Sequence, residues 1–116
     1  MTTRIYSIED IKSMIYEILK YIREIKEFIE GYTHEQFALD KKTINACVFN
    51  LGQIGELAGK ISEETINDNP HIEWRGLKAL RNRIVHYYEG INLSMVWKFL
   101  ETELDELEVQ IENITK

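Results

Sequence analysis

The segment from Ser7 to Ile29, SIEDIKSMIYEILKYIREIKEFI, gives the clearest indication of the fold class. Its apolar residues recur three or four positions apart, which is the spacing of one face of an α-helix. Ser7 followed by Asp10 resembles a capping box, and Gly31 is well placed to end the helix. Acidic and basic residues are mixed on the opposite face, so the stretch predicts an amphipathic helix that packs on a protein core rather than a membrane anchor.

Three more amphipathic segments follow. They are predicted as helices from Asp40 to Ile61, from Ile72 or Glu73 to Tyr88, and from Leu93 to Ile111. A capping signal from Thr33 to Gln36 predicts a short helical turn that carries Phe37, and Asp40 is a further N-cap candidate. The chain has a single proline and no strand-like alternation, which favours long helices joined by short links. We therefore expect an all-α, up-and-down bundle of four to five helices that forms one domain over residues 1–116.

Three glycines lie inside the second predicted helix, at Gly52, Gly55 and Gly59. Each costs about 1 kcal/mol relative to alanine at such a position. Close approach of a neighbouring helix would offset this cost, and room for a partner or ligand is the alternative.

Composition narrows the class of protein. The 116 residues are 44% hydrophobic and 29% charged, a balance that excludes a disordered tail, a fibre and a membrane span. The single cysteine, Cys47, forms no internal disulfide and cannot build a thiolate zinc site alone. The three histidines are distant in sequence, so no metal site is expected. Residues Met1 to Tyr6 lack the apolar block of a signal peptide, so a cytoplasmic location is expected.

Charge is unevenly distributed along the chain. The formal net charge is −6, yet residues 73–90 hold four basic residues against two acidic ones. An acidic protein is poorly suited to wrapping nucleic acid over its whole surface. The basic segment is therefore either an ordinary solvated helix face or a local phosphate-binding site.

This basic segment also gathers the groups best suited to chemistry. His86 can titrate near neutral pH, and Arg81 and Arg83 can each hold a phosphate with a planar guanidinium. Asn82 can donate or accept a hydrogen bond, and Tyr88 can stack on a base or be modified. A structural role is the alternative for the histidine, because a cation suits a helix C-terminus.

Arg81, His86 and Tyr88 have the spacing R-x(4)-H-x-Y, which resembles the HepT-like toxins of the HEPN superfamily. The stretch from Asn50 to Ala58, NLGQIGELA, is similar to the glycine–glutamate helix of that family. The resemblance extends from Asp10 to Leu107, with both tryptophans, Trp74 and Trp97, in the family's order.

The resemblance implies a homodimeric ribonuclease toxin that needs neither metal nor cofactor. It implies that Arg81 and His86 are the catalytic pair, with Asn82 and Arg83 as possible supporting residues. It also implies a nucleotidyltransferase antitoxin that neutralises the toxin by adding AMP to Tyr88. The alternatives are a HEPN module that binds nucleotide or RNA without catalysis, and a structural helical adaptor.

Helix geometry constrains how the catalytic pair could meet. On a straight helix Arg81 and His86 point about 140° apart, whereas Arg81 and Tyr88 point nearly the same way. One ideal helix cannot easily aim both catalytic groups at one phosphate. Either the helix unwinds near His86, or two protomers build the site together.

Overall fold

The computed structural model describes residues 7–60, 67 and 93–114. Within these ranges it consists of helices and short turns. The predicted third helix, from Ile72 or Glu73 to Tyr88, lies outside the described residues. The described part of the chain confirms the all-α class.

The first helix, α1, spans Ile8–Phe28. Ser7 caps it as predicted: the Asp10 amide donates to the Ser7 hydroxyl oxygen, and the Ser7 amide donates to the Asp10 carboxylate. These bonds satisfy two amide groups at this helix end. Gly31 follows the helix with a φ of +77°, the left-handed conformation that glycine adopts without steric penalty.

Two helices follow in close succession, α2 from His34 to Leu39 and α3 from Lys41 to Gly59. Thr33 and Gln36 form the capping box that caps α2. The Asp40 carboxylate caps α3 by accepting a hydrogen bond from the Thr43 amide. Each helix therefore begins at the capping residue that the sequence predicts.

The last predicted helix is divided into α4, Leu93–Thr102, and α5, Leu104–Ile114, with a turn at Glu103. The prediction of one continuous helix here is wrong. The Thr102 hydroxyl donates to the Lys98 carbonyl at 2.6 Å, and this type of bond competes with the helical ladder and commonly bends it. Backbone bonds from Glu103 to Phe99 and from Leu107 to Glu103 carry the chain across the turn.

The helices pack around one apolar core. Helix α1 packs against α3 and α5, α2 packs against α3 and α4, and α4 packs against α5. Residues Arg23 and Lys26 of α1 pair with progressively earlier residues of α5, so these two helices are antiparallel. Side chains exposed by less than 2% include Ile11, Ile15, Ile18, Ile22, Ile25, Phe37, Leu51, Ile54 and Phe99.

The surroundings of Gly59 test the packing explanation for the glycines of α3. Gly52 and Gly55 are half-buried, whereas Gly59 is exposed. A Cβ atom added at Gly59 would meet no described atom within 4 Å. Close helix approach therefore does not explain Gly59 in the described part of the chain.

Candidate active site and its scaffold

The predicted catalytic and modification residues lie outside the described residues. This applies to Arg81, Asn82, Arg83, His86 and Tyr88, and their arrangement stays a prediction. The described helices α3 and α4 flank this segment in the chain.

Trp97, one of the residues that carry the family resemblance, lies in α4 and is 7% exposed. Its ring stacks nearly parallel to the His34 ring, with centroids 6.2 Å apart. Phe37 packs against it at 5.1 Å with a tilt of 38°. These contacts hold α4 against α2, so Trp97 positions the helix that follows the predicted catalytic segment.

Asn50 opens the glycine–glutamate stretch and is a buried polar residue, 4% exposed. Its side-chain amide donates to the Tyr21 carbonyl at 3.2 Å and to the Glu24 carboxylate at 3.0 Å. The bonds join α3 to α1 and satisfy a group that would otherwise be costly to bury. Its position could have been predicted, because Asn50 lies three residues after Cys47 and four before Ile54, on the buried face of α3.

An ion-pair network joins α1 to α5. Glu108, 9% exposed, accepts hydrogen bonds from Arg23 at 3.2 Å and from Lys26 at 2.7 Å. Arg23 also pairs with Glu112, and Lys26 with Asp105. The bond to Glu112 is the largest influence raising the pKa of Arg23, and the bond to Asp105 is the largest raising that of Lys26. The network is structural, because it binds both cations that approach Glu108 to side chains of the chain itself.

A second polar cluster ties the end of α1 to the start of α3. The Tyr32 hydroxyl donates to the Asp40 carboxylate at 2.6 Å, and the Thr43 hydroxyl donates to the same carboxylate at 2.7 Å. The Tyr32 bond, followed by those from Thr43, lowers the pKa of Asp40 to about 2. The cluster fixes the loop between α1 and α2.

Other chemical groups of the scaffold are unsuited to catalysis. Cys47 is fully buried, and burial raises the pKa of its thiol to about 12, which keeps the thiol protonated and inert. The described residues contain no cluster of three or more side chains able to hold a metal ion. Among the described helices, none combines the length and apolarity needed to cross a bilayer.

Comparison with known proteins identifies the class of enzyme. Residues 18–114 match the profile of the family described as ribonuclease HepT-like. A candidate RNase of Methanocaldococcus jannaschii is 32% identical over 108 residues, which cover 93% of this chain and 89% of that protein. The probable ribonuclease HepT of Thermococcus cleftensis is 30% identical over 105 residues, covering 90% of this chain and 96% of that protein. No solved structure gives a significant match.

The chain is therefore an endoribonuclease built on a helical bundle. It belongs to the HepT-like ribonuclease family. The resemblance read from the sequence is confirmed at the level of the family and of the enzyme class. Family membership favours the enzyme over the non-catalytic binding module and the helical adaptor.

Proposed function

We propose that the chain is the toxin of a toxin–antitoxin pair and cleaves RNA through Arg81 and His86, without a metal ion. We further propose that a nucleotidyltransferase antitoxin silences it by adding AMP to Tyr88. The observation that carries the proposal is the R-x(4)-H-x-Y spacing of these residues in a chain that matches the HepT-like family over residues 18–114.

RNA supplies its own nucleophile for this reaction, the 2′-hydroxyl beside the scissile phosphate. The 2′-oxygen attacks phosphorus, the bond from phosphorus to the 5′-oxygen breaks, and a cyclic phosphate and a 5′-hydroxyl result. His86 accepts the proton that the 2′-hydroxyl loses and donates a proton to the leaving 5′-oxygen, so that no net proton is consumed. General acid–base catalysis of this kind contributes typically about 10²–10⁴ in rate.

The Arg81 guanidinium stabilises the charge that grows on the phosphate oxygens. It remains protonated at all working pH values and can bind two phosphate oxygens at once. Asn82 and Arg83 support the phosphate beside it. No serine, thiolate or metal ion is required for this set of roles.

We propose that the site forms across a homodimer. Arg81 and His86 are about 140° apart on a straight helix, so a second protomer is the simpler way to bring a guanidinium and an imidazole to one phosphate. Pooling the basic segments of two chains would also give an acidic protein a local surface that attracts RNA.

AMP on Tyr88 would silence the enzyme by electrostatics. On a straight helix Tyr88 points nearly the same way as Arg81, so its phosphate would lie beside the guanidinium that binds RNA. The added negative charge would compete for Arg81 and repel the RNA backbone.

The test is cleavage of RNA in the presence of a chelator, measured for the wild-type protein and for the variants Arg81→Ala and His86→Ala. We expect each variant to lose about 10²-fold or more of the cleavage rate. Tyr88→Phe should keep most of the activity and resist silencing by the partner, whereas Tyr87→Phe, the matched control, should behave as wild type. Cleavage that persists in both alanine variants would overturn the Arg/His assignment.

Mixing the two alanine variants tests the shared site. If Arg81 comes from one protomer and His86 from the other, each mixed dimer regains one intact site, and an equal mixture recovers about a quarter of wild-type activity. A mixture as inactive as its parts would place both groups in one chain.

A further inference from the structure

A cleft of about 240 Å³ opens between the C-terminal end of α1 and the helices α4 and α5. Its walls are aliphatic and aromatic, from Ile29, Leu100, Tyr32 and Trp97. The Tyr32 ring is held in place because its hydroxyl donates to Asp40. The Trp97 ring lies nearly parallel to the His34 ring, at 6.2 Å, and packs against Phe37 at 5.1 Å. The cleft is therefore formed by side chains whose positions are set before any ligand arrives.

The charged groups of the cleft leave an excess of negative charge. Lys26, Glu101 and Asp105 line it. Lys26 is already neutralised by Asp105 at 2.8 Å and by Glu108 at 2.7 Å. Glu101 is exposed and forms no ion pair with any residue that the structure describes. A ligand entering the cleft would meet aromatic rings and the Glu101 carboxylate, which has no cation partner among the described residues.

The surrounding surface has the same sign. Residues 93–114, which form α4 and α5, contain one lysine and six acidic residues, three of which pair with Arg23 and Lys26 of α1. A surface of this charge repels a phosphate backbone and attracts a basic protein segment. Residues 73–90, by contrast, hold four basic residues against two acidic ones.

We infer that this cleft is a docking site for an arginine side chain of a basic partner protein. A guanidinium is planar and can lie against the aromatic wall while it donates hydrogen bonds to Glu101. The aliphatic stem of the arginine would contact Ile29 and Leu100. This inference rests on the cleft alone and does not depend on the roles of Arg81, His86 and Tyr88.

The experiment uses the full chain labelled with ¹⁵N and the peptide acetyl-Gly-Arg-Gly-amide as the probe. The twin peptide with citrulline in place of arginine has nearly the same shape and no charge. We expect the arginine peptide to produce saturable amide shifts at Tyr32, Trp97 and Glu101, and the citrulline peptide to produce none. Equal binding of the two peptides, or shifts confined to other helices, would overturn the inference.

Matched variants locate the binding and separate a protein ligand from RNA. Glu101→Gln should weaken binding of the arginine peptide about fivefold, the scale of one partly exposed ion pair. Glu17→Gln removes an exposed carboxylate about 13 Å further along α1 from Lys26, and binding should not change. A 2′-O-methyl RNA hexamer, which cannot be cleaved through a 2′-hydroxyl, should leave the cleft resonances unmoved. Stronger shifts there with the hexamer would make the cleft an RNA subsite instead.

Discussion

Helix α1 is held on its two sides by different interactions. Towards α3 it presents an apolar face crossed by one buried amide, Asn50. Towards α5 the apolar contact is flanked by ion pairs in which Arg23 and Lys26 converge on Glu108. The first side depends on burial and is insensitive to salt, whereas the second is partly exposed and open to screening. Sequence periodicity predicts the apolar contacts between α1 and α3, whereas it carries no information on the ion pairs between α1 and α5.

Truncating a buried side chain of the apolar face of α1 should cause the largest loss of stability. Ile22→Ala removes part of a fully buried side chain of α1, and we expect it to lower the free energy of unfolding by about 2–5 kcal/mol. Urea unfolding followed by circular dichroism measures this loss. Tyr16→Ala, at a position that is 61% exposed on the same helix, should change stability by no more than about 0.5 kcal/mol. Equal losses in the two variants would contradict the assignment of the core face.

Replacing the buried Asn50 side chain between α1 and α3 should cause the next largest loss of stability. In the wild-type protein the Asn50 amide nitrogen lies 3.0 Å from the Glu24 carboxylate oxygen to which it donates. Asn50→Asp replaces this donor with a second carboxylate. We expect a loss of about 2–3 kcal/mol at neutral pH, because a charged hydrogen bond is replaced by repulsion. The loss should shrink on acidification, when the two carboxylates share a proton.

The control for this prediction lies on the same helix. Asn45 is exposed, so Asn45→Asp should cost little and show no comparable recovery at low pH. If both aspartate variants are equally stable, Asn50 does not join the two helices in the way its hydrogen bonds indicate.

Mutation of the ion-pair network between α1 and α5 should lower the free energy of unfolding by a smaller amount, and this loss should depend on salt. Glu108→Gln leaves Arg23 and Lys26 with their outer partners Glu112 and Asp105. We expect a loss of about 1–2 kcal/mol, between the values for exposed and buried charged hydrogen bonds. Thermal unfolding at low and high salt should show that the difference in melting temperature between the variant and the wild type becomes smaller as the salt concentration rises. Glu106→Gln, an exposed acid of the same helix, serves as the control, and an equal loss there would argue against the network.

The apolar side was predictable from the sequence and the ionic side was not. The three-and-four spacing from Ile8 to Ile29 and the caps at Ser7, Thr33 and Asp40 are local patterns, and the structure confirms them. The bonds of Arg23 and Lys26 to α5 join residues 79 to 89 positions apart. Such pairings depend on how two helices align in space, which no local pattern specifies.

The same limit applies to the turn at Glu103 and to the candidate site. Thr102 is compatible with a continuous helix. The structure shows that its hydroxyl bonds to the Lys98 carbonyl, and a bond of this type commonly bends a helix. For the site, the spacing of Arg81 and His86 identifies the family, which the comparisons confirm. The spacing does not specify how the two side chains reach one phosphate, because an ideal helix points them in different directions. Their convergence depends on tertiary or quaternary structure.

The smallest effect should come from the cluster around Asp40, and it should depend on pH. The folded-state pKa of Asp40 is about 2, below the ordinary 3.8, so this carboxylate stabilises the fold above pH 4. The stabilisation is lost as the pH falls from about 4 through 2. Tyr32→Phe removes the hydrogen bond that contributes most to the shift, so the pKa of Asp40 should rise towards its ordinary value.

A carboxyl ¹³C titration by NMR measures that pKa, and acid unfolding measures its consequence. In Tyr32→Phe the acid-dependent loss should be smaller than in wild type, because less of the native stability depends on the ionised carboxylate. Tyr16→Phe, which alters an exposed tyrosine of α1, should leave both measurements unchanged. An Asp40 pKa that stays at about 2 in Tyr32→Phe would assign the shift to the hydroxyl and amide of Thr43 and the backbone of Lys42, which are the other donors to this carboxylate.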